Sequence, residues 1–320
     1  MTQVTMLKYR YVFDDTLLMS GANLSEDYFT NRQDRYLVMS NMNGLAGLYH
    51  DFVELLSRYS DVVSSNGTKI LATRNSALRD KLRYDLHDFA SSYQHKNESV
   101  SSSYDSWVLP TFQFGELDLL QDEEMISNLL RSTSHESVDI ATGYFNMPES
   151  MMNLLLHDCD IKMTRILMSS PEAHGFHSAK GISGALPLAY AERSRLCFER
   201  IQSESNHKVS LHEYIRDDWT YHAKGVWFTS SSETLPSLSV IGSSNFGMRS
   251  QCRDIESQLY IGSTDSKLRE SWNHERNLLF NYAYELNRDI LSEDSRKIRG
   301  MSLRSGYWIR PVSRMISRFM

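Results

Sequence analysis

His222 and Lys224 stand two residues apart in W-T-Y-H-A-K-G-V-W-F, and Ser243 and Asn245 follow in S-V-I-G-S-S-N-F-G. Imidazole is a usable nucleophile and proton shuttle near neutral pH. An ammonium beside it can hold a phosphoryl oxygen while negative charge builds in a transition state. The Ser243 hydroxyl and the Asn245 amide would add neutral donors to the same oxygens. Such a set suits attack on a phosphodiester and needs no metal.

For His222 and Lys224 to act together they must share a face. A strand over 221–228 provides this, because side chains alternate with a period of two. A second strand over 238–241 leads into the Gly-Ser-Ser-Asn turn. A degenerate copy of the unit lies near the N-terminus, in L-K-Y-R-Y-V-F-D-D-T-L-L-M-S-G-A-N-L-S. There Leu7, Tyr9 and Asp14 fall at the places of His222, Lys224 and Thr229, and Asn23 at the place of Asn245. Eleven residues after each Asn stands an acid, Asp34 in the first copy and Glu256 in the second. Two copies of one strand-turn-acid unit imply a duplicated fold.

H-x-K with G-S-x-N downstream, in two halves, resembles the phospholipase D superfamily. More narrowly, the chain resembles the mitochondrial CDP-diacylglycerol–glycerol-3-phosphate 3-phosphatidyltransferases from about Val12 onward. The motifs that carry this likeness are F-D-D-x-x-L-M-S-G-A-N-L-S-E-D-Y-F-T-N-R-Q-D-R-Y, A-T-G-Y-F-N, S-S-P-E-A-H-G-F, A-K-G-I-S-G-A-L-P and W-T-Y-H-A-K-G-V-W. The resemblance implies an α/β fold of two pseudo-repeated phospholipase D-like halves, a mixed sheet flanked by helices. Residues 1–135 would be the later part of the first half, with the degenerate motif at 7–34. Residues 136–290 would be the second half, with its motif at 222–256, and 291–320 a basic tail. The first half is expected to lack its beginning, since the family's first His-x-Lys falls on Leu7 and Tyr9.

Composition narrows the alternatives. With 41% hydrophobic residues the chain folds as a globule, and a net charge of −6 argues against a nucleic-acid binder. Cys159, Cys197 and Cys252 have neither metal-ligand spacing nor an even count for a disulfide framework. No apolar run reaches the ~20 residues that span a bilayer, and 1–7 resembles neither a signal nor a transit peptide.

Helical spacing marks 43–58 and 72–93, then 186–204 and 267–287, the last with Leu268, Trp272, Leu279, Tyr282 and Leu286 on one stripe. Strands are expected at 9–13, 16–19, 138–142, 164–169 and 208–214. Asn146 reads as a helix N-cap ahead of Pro148. The loop from Ser169 through His174 and Gly175 to Lys180 would hold glycerol phosphate or cytidine diphosphate, with Lys180 as counter-charge. From Arg296 to Met320 seven basic residues and no acid alternate with Tyr307, Trp308, Ile309 and Phe319. That pattern fits an interfacial anchor for anionic lipid.

The resemblance further implies the route. One histidine attacks the phosphatidyl phosphorus of CDP-diacylglycerol, another protonates departing CMP, and glycerol-3-phosphate is admitted to the phosphohistidine. His222 would be the motif histidine, Glu256 its orienting acid, and Asp14 the counterpart of the motif's Asp. Lys224, Ser243, Asn245, Asn23 and Lys180 would bind phosphate oxygens, while Asp34 would have lost its histidine. Localisation would be mitochondrial and peripheral to the inner membrane. No cofactor is expected for the chemistry, and any ATP-binding segment would lie ahead of this chain. Acting alone, the chain is expected to be nearly inactive. The competing readings are a phospholipase D-type hydrolase and a non-catalytic lipid-binding fragment.

Overall fold

A computed structural model describes residues 4–7, 10–63, 69–70, 76–96, 104–180, 183–184, 186–204 and 207–292. Strands β1 (Val4–Leu7), β2 (Arg10–Phe13) and β3 (Thr16–Ser20) form an antiparallel meander. The chain continues through α1 (Asp27–Thr30) and β4 (Arg32–Gln33), then returns as β5 (Tyr36–Met39) to the free side of β3. β2 is therefore paired on both sides, with β1 and β3, and so is β3, with β2 and β5. Asp14 takes a positive φ of 52° at the β2–β3 turn, a conformation that Asp tolerates better than most residues.

Helix α2 (Asn43–Ser57) buries Leu48, Tyr49, Phe52 and Leu55, the apolar stripe that its sequence carries. A small hairpin, β6 (Val62–Val63) with β7 (Lys69–Ile70), precedes α3 (Ser76–Lys96).

The remaining described elements build a nine-stranded mixed sheet. In chain order they are β8 (Ser106–Phe114), β9 (Leu119–Leu120), α4 (Gln121–Arg131), β10 (His135–Thr142), α5 (Glu149–His157), β11 (Met163–Ser169), α6 (Leu186–Ser203) and β12 (Val209–Tyr214). The short β13 (Thr220–Tyr221) precedes β14 (Gly225–Ser230), β15 (Leu238–Gly242), α7 (Met248–Cys252), β16 (Glu256–Ser263), α8 (Ser266–Phe280) and β17 (Ala283–Glu285). Across the sheet the order is β17-β12-β11-β10-β14-β15-β16-β8-β9. β10, β11 and β12 run parallel and the other neighbours antiparallel. β8, whose residues precede position 135, is hydrogen-bonded to β16 in this sheet.

Strand alternation divides the interior in two. Val226 and Phe228 of β14, Val138 and Ile140 of β10, and Val240 of β15 face a core closed by α4, α5 and α6. Trp227, Ala141 and Ile241 from the same strands face the other core, with Leu17 and Met19 of β3 and Tyr49 and Phe52 of α2. Both faces of the central strands are covered, so they read as apolar runs. The second core joins the N-terminal sheet to the large one.

Three local expectations change. The run 221–228 is not one strand: residues 220–222 bond to Asn31, Ala173 and Gln33, whereas β14 pairs with β10 and β15. The helix expected over 267–287 ends at Phe280, because the chain then adds β17 to the edge of β12, satisfying that edge's backbone groups. Asn146 does not cap α5, where Pro148 holds the N-cap; its carbonyl instead accepts from the Met248 N–H. Leu7 lies in β1, while Tyr9 and the tail from 293 onward lie outside the described residues.

Candidate active site

The break between β13 and β14 is where the chemistry collects. β13 pairs in parallel with β4 on one side, and Tyr221 forms an isolated bridge with His174 on the other. The His222 N–H donates to the Gln33 carbonyl at 2.8 Å. The histidine is thus clamped between β4, in the connection from β3 to β5, and the loop that follows β11.

Its imidazole is buried, with Nδ1 2.8 Å from Asp34 Oδ2. The other carboxylate oxygen, Oδ1, accepts from the Arg35 N–H at 2.8 Å. A carboxylate so placed takes the Nδ1 proton as a hydrogen bond and leaves Nε2 with its lone pair. Tyr28 Oη stands 3.1 Å from the same Nδ1, and Asn23 Nδ2 donates to that hydroxyl at 3.5 Å. Lys224 Nζ donates to the His222 carbonyl at 2.7 Å and lies beside the ring edge, 2.9 Å from Nδ1 and 3.1 Å from Nε2. An anion that met Nε2 would therefore meet the ammonium as well.

Burial, then Lys224 and Arg32, push the His222 pKa down to about 4 against the pull of Asp34. The ring is consequently neutral at physiological pH, as a nucleophile requires. Tyr28 is held protonated, its pKa raised chiefly by burial. Arg32 donates to Thr220 Oγ1 at 3.0 Å, pairs with Asp27 at 3.2 Å, and lies over the Tyr28 ring.

Close approach of these groups depends on two glycines. A Cβ on Gly21 would meet Asp34 Oδ1 and Lys224 Cδ, both at 3.0 Å. Gly225, with φ +152°, lies against the Arg35 guanidinium, which also donates to the Lys224 and Val240 carbonyls and pairs with Glu275. Arg35 thereby fixes the backbone immediately after Lys224.

The other sequence candidates divide. Glu256 is buried, but it accepts from Ser250 Oγ at 3.1 Å; Asp34 is the acid on the imidazole. Asp34 has therefore not lost its histidine, because it serves His222. Ser250 Oγ also accepts the Asn245 N–H, so Glu256 braces the Gly-Ser-Ser-Asn turn. Ser243 is buried, its Oγ accepting from the Ser257 N–H at 3.3 Å. Asn245 is tied to the end of β10 through Thr142 Oγ1, and its own Oδ1 is buried without a partner among the described residues. Asp14 is not brought to the cluster, since it lies at the far end of β3 from Gly21 and Asn23. Lys180 is exposed.

Sequence reasoning missed the supporting groups Tyr28, Arg32, Arg35 and Tyr144. All four stand inside the long motifs at 13–36 and 141–146, but linear spacing cannot show that they converge on His222.

No family profile matches the chain. Over 90% of its residues it is 33% identical to a probable CDP-diacylglycerol–glycerol-3-phosphate 3-phosphatidyltransferase of Dictyostelium discoideum, of which it covers 53%. Over 97% it is 30% identical to the mitochondrial protein of that name from Bos taurus, covering 60% of it. A Saccharomyces pastorianus relative of the same name is 30% identical over 92% of the chain, which covers 63% of it. The chain thus spans less than two thirds of the length of these relatives. Among solved structures, phosphatidylserine synthase of Haemophilus influenzae shares the fold, with a TM-score of 0.69 at 20% identity over 97% of the chain and 70% of that protein. Over the part of their length that it spans, the chain is thus similar in sequence to proteins named CDP-diacylglycerol–glycerol-3-phosphate 3-phosphatidyltransferase.

Proposed function

We propose that the chain carries the His222-centred site of a CDP-diacylglycerol–glycerol-3-phosphate 3-phosphatidyltransferase. The observation that carries this reading is a buried neutral imidazole whose Nδ1 is held by Asp34 and whose Nε2 lies 3.1 Å from Lys224 Nζ. Nε2 attacks the phosphatidyl phosphorus, the bond from phosphorus to the CMP oxygen breaks, and CMP departs. Asp34 stabilises the charge that the imidazole acquires, as the acid of a triad does. Lys224 binds the non-bridging oxygens, and Ser243, Asn245 and Asn23 add neutral donors to them. The 1-hydroxyl of glycerol-3-phosphate then attacks phosphorus, its proton passes to solvent, and neutral His222 is regenerated. No cofactor takes part in this chemistry.

In this reading residues 1–135 are the later part of the first of two pseudo-repeated halves and 136–290 the second, and the basic tail docks on anionic lipid at the membrane surface. The name of the Bos taurus relative supports a mitochondrial site of action. No helix among the described residues is long and apolar enough to cross a membrane.

The test uses CDP-diacylglycerol labelled at the phosphatidyl phosphorus. Expected are an acid-labile, base-stable label on the protein that is absent from His222→Asn, and CMP release that rises with glycerol-3-phosphate. Release driven by water alone would indicate a hydrolase, and an unlabelled protein that releases no CMP would refute the reading in favour of the non-catalytic lipid-binding fragment.

A further inference from the structure

The loop between β11 and α6 brings a second imidazole to this site. His174 is 1% exposed, and its bridge to Tyr221 places it beside the residue that precedes His222. One ring links the groups. Tyr144 has its centroid 5.0 Å from the His174 ring, 5.3 Å from the His222 ring and 6.0 Å from Lys224 Nζ. Gly175 keeps the approach open, since a Cβ there would lie 3.1 Å from the Tyr144 hydroxyl and 3.5 Å from Arg32 Nη2.

Hydrogen bonding sets the tautomer of His174. Its Nδ1 accepts from the Phe176 N–H at 3.1 Å, so the ring proton resides on Nε2. That Nε2 is buried and has no partner among the described residues. A buried donor without an acceptor is costly, and native structures rarely keep one without a use. Burial first, then His222, His177 and Arg32, hold the His174 pKa down to about 3, so the ring remains a neutral donor across the physiological range.

We propose that the Nε2–H of His174 donates to a non-bridging phosphoryl oxygen of a substrate held at the His222 and Lys224 site. This inference rests on the phosphodiester reading above and adds a phosphoryl-binding residue to it. The oxygen belongs either to the diphosphate of the nucleotide-activated donor or to the phosphate monoester of the acceptor. Lys180, which sequence alone offers as the charge on this loop, is exposed, whereas the neutral His174 is the loop residue that reaches the cluster.

The decisive measurement is long-range proton–nitrogen correlation on full-length protein labelled with nitrogen-15 histidine. It is titrated separately with inorganic phosphate, sn-glycerol 3-phosphate and cytidine 5′-diphosphate. In the wild type, His174 should show the Nε2–H tautomer, and its Nε2 resonance should move on binding; the ligand that moves it most identifies the source of the oxygen. His174→Phe, which keeps a ring without the donor, should bind that ligand about 10- to 100-fold more weakly, as expected for a hydrogen bond to an anion. His174→Gln, which restores an N–H, should recover most of the affinity. A wild-type ring protonated on Nδ1 alone, or unmoved while the His222 resonance shifts, overturns the proposal even if His174→Phe fails to fold. His174→Phe binding like the wild type, where Lys224→Met does not, overturns it and leaves the phosphodiester reading standing. If no ligand moves either histidine, both are overturned.

Discussion

Replacing Asp34 by Asn tests the assignment of the imidazole most sharply. The carboxylate accepts two donors, the Arg35 N–H at Oδ1 and His222 Nδ1 at Oδ2. An amide presents one oxygen and one NH2, so it cannot satisfy both. If the oxygen keeps the Arg35 N–H, the NH2 faces Nδ1, the ring proton moves to Nε2, and the nucleophilic lone pair is lost. If it turns the other way, the Arg35 N–H is left buried without an acceptor, at about 1–3 kcal/mol. Loss of the carboxylate charge also removes the one influence that raises the His222 pKa, driving it further below about 4. An acid-to-amide change behind a catalytic histidine costs ~10⁴-fold in a serine protease triad, chiefly through the wrong tautomer. We therefore expect Asp34→Asn to lower phosphatidyl transfer ~10²- to 10⁴-fold, with histidine nitrogen-15 shifts moving from the Nδ1–H to the Nε2–H pattern. Combining it with His222→Asn should cost little more than His222→Asn alone, since the two act as a unit. An Asp34→Asn protein that kept the Nδ1–H tautomer and transferred at the wild-type rate would refute the reasoning.

Three further outcomes follow from the same geometry. Gly225→Ala would drive a methyl into Arg35 Nη1 and place it 2.5 Å from the Val240 carbonyl at φ +152°, so it should destabilise by about 3 kcal/mol or more; an unchanged urea midpoint would contradict this. The unfolded chain protonates His222 near pH 6.5 and the folded one near 4, so the unfolded state binds more protons in between. Stability should be level above about pH 6.5 and fall by about 3 kcal/mol from this residue as pH drops to about 4, with His174 adding in the same direction. Denaturant midpoints at pH 8, 6 and 5 measure that slope, and a His222→Gln/His174→Gln protein with the same slope would count against it. Asp14→Asn should leave transfer within about twofold, because Asn also tolerates a positive φ and the residue lies at a turn away from His222; a hundredfold loss would restore a chemical role.

Much of the architecture can be read from the chain because both faces of the central strands are buried. Runs such as 138–142 and 164–169, whose buried apolar residues are interrupted by the Asp139 and Arg165 pair, then admit few other readings, and the stripe of α2 declares itself by period. The end of α8 is harder to read, because Tyr282 and Leu286 continue the helical spacing although an unpaired edge of β12 draws the chain into a strand. Within the site, His222, Lys224, Ser243 and Asn245 are legible from type and spacing. The pairing of acid with base is not, since each half carries an acid eleven residues after its Asn and local logic assigns it to its own half. Only the three-dimensional crossing shows that Asp34 serves His222 while Glu256 braces a turn. His174 is invisible for a similar reason: in the sequence it is one polar residue in a loop that also offers Lys180, and burial alone distinguishes the two.

The clamp on His222 has a consequence for how the polypeptide can be divided. Its backbone is held by Gln33, its ring by Asp34 and Tyr28, and all three belong to the N-terminal sheet and its connections. A cut within 97–103 would put His222 and Asp34 on different molecules. Neither piece would then hold the paired imidazole, and the proposed transfer would return only when the two pieces met. The site would thus act as a complementation reporter of the contact between the two parts of the chain.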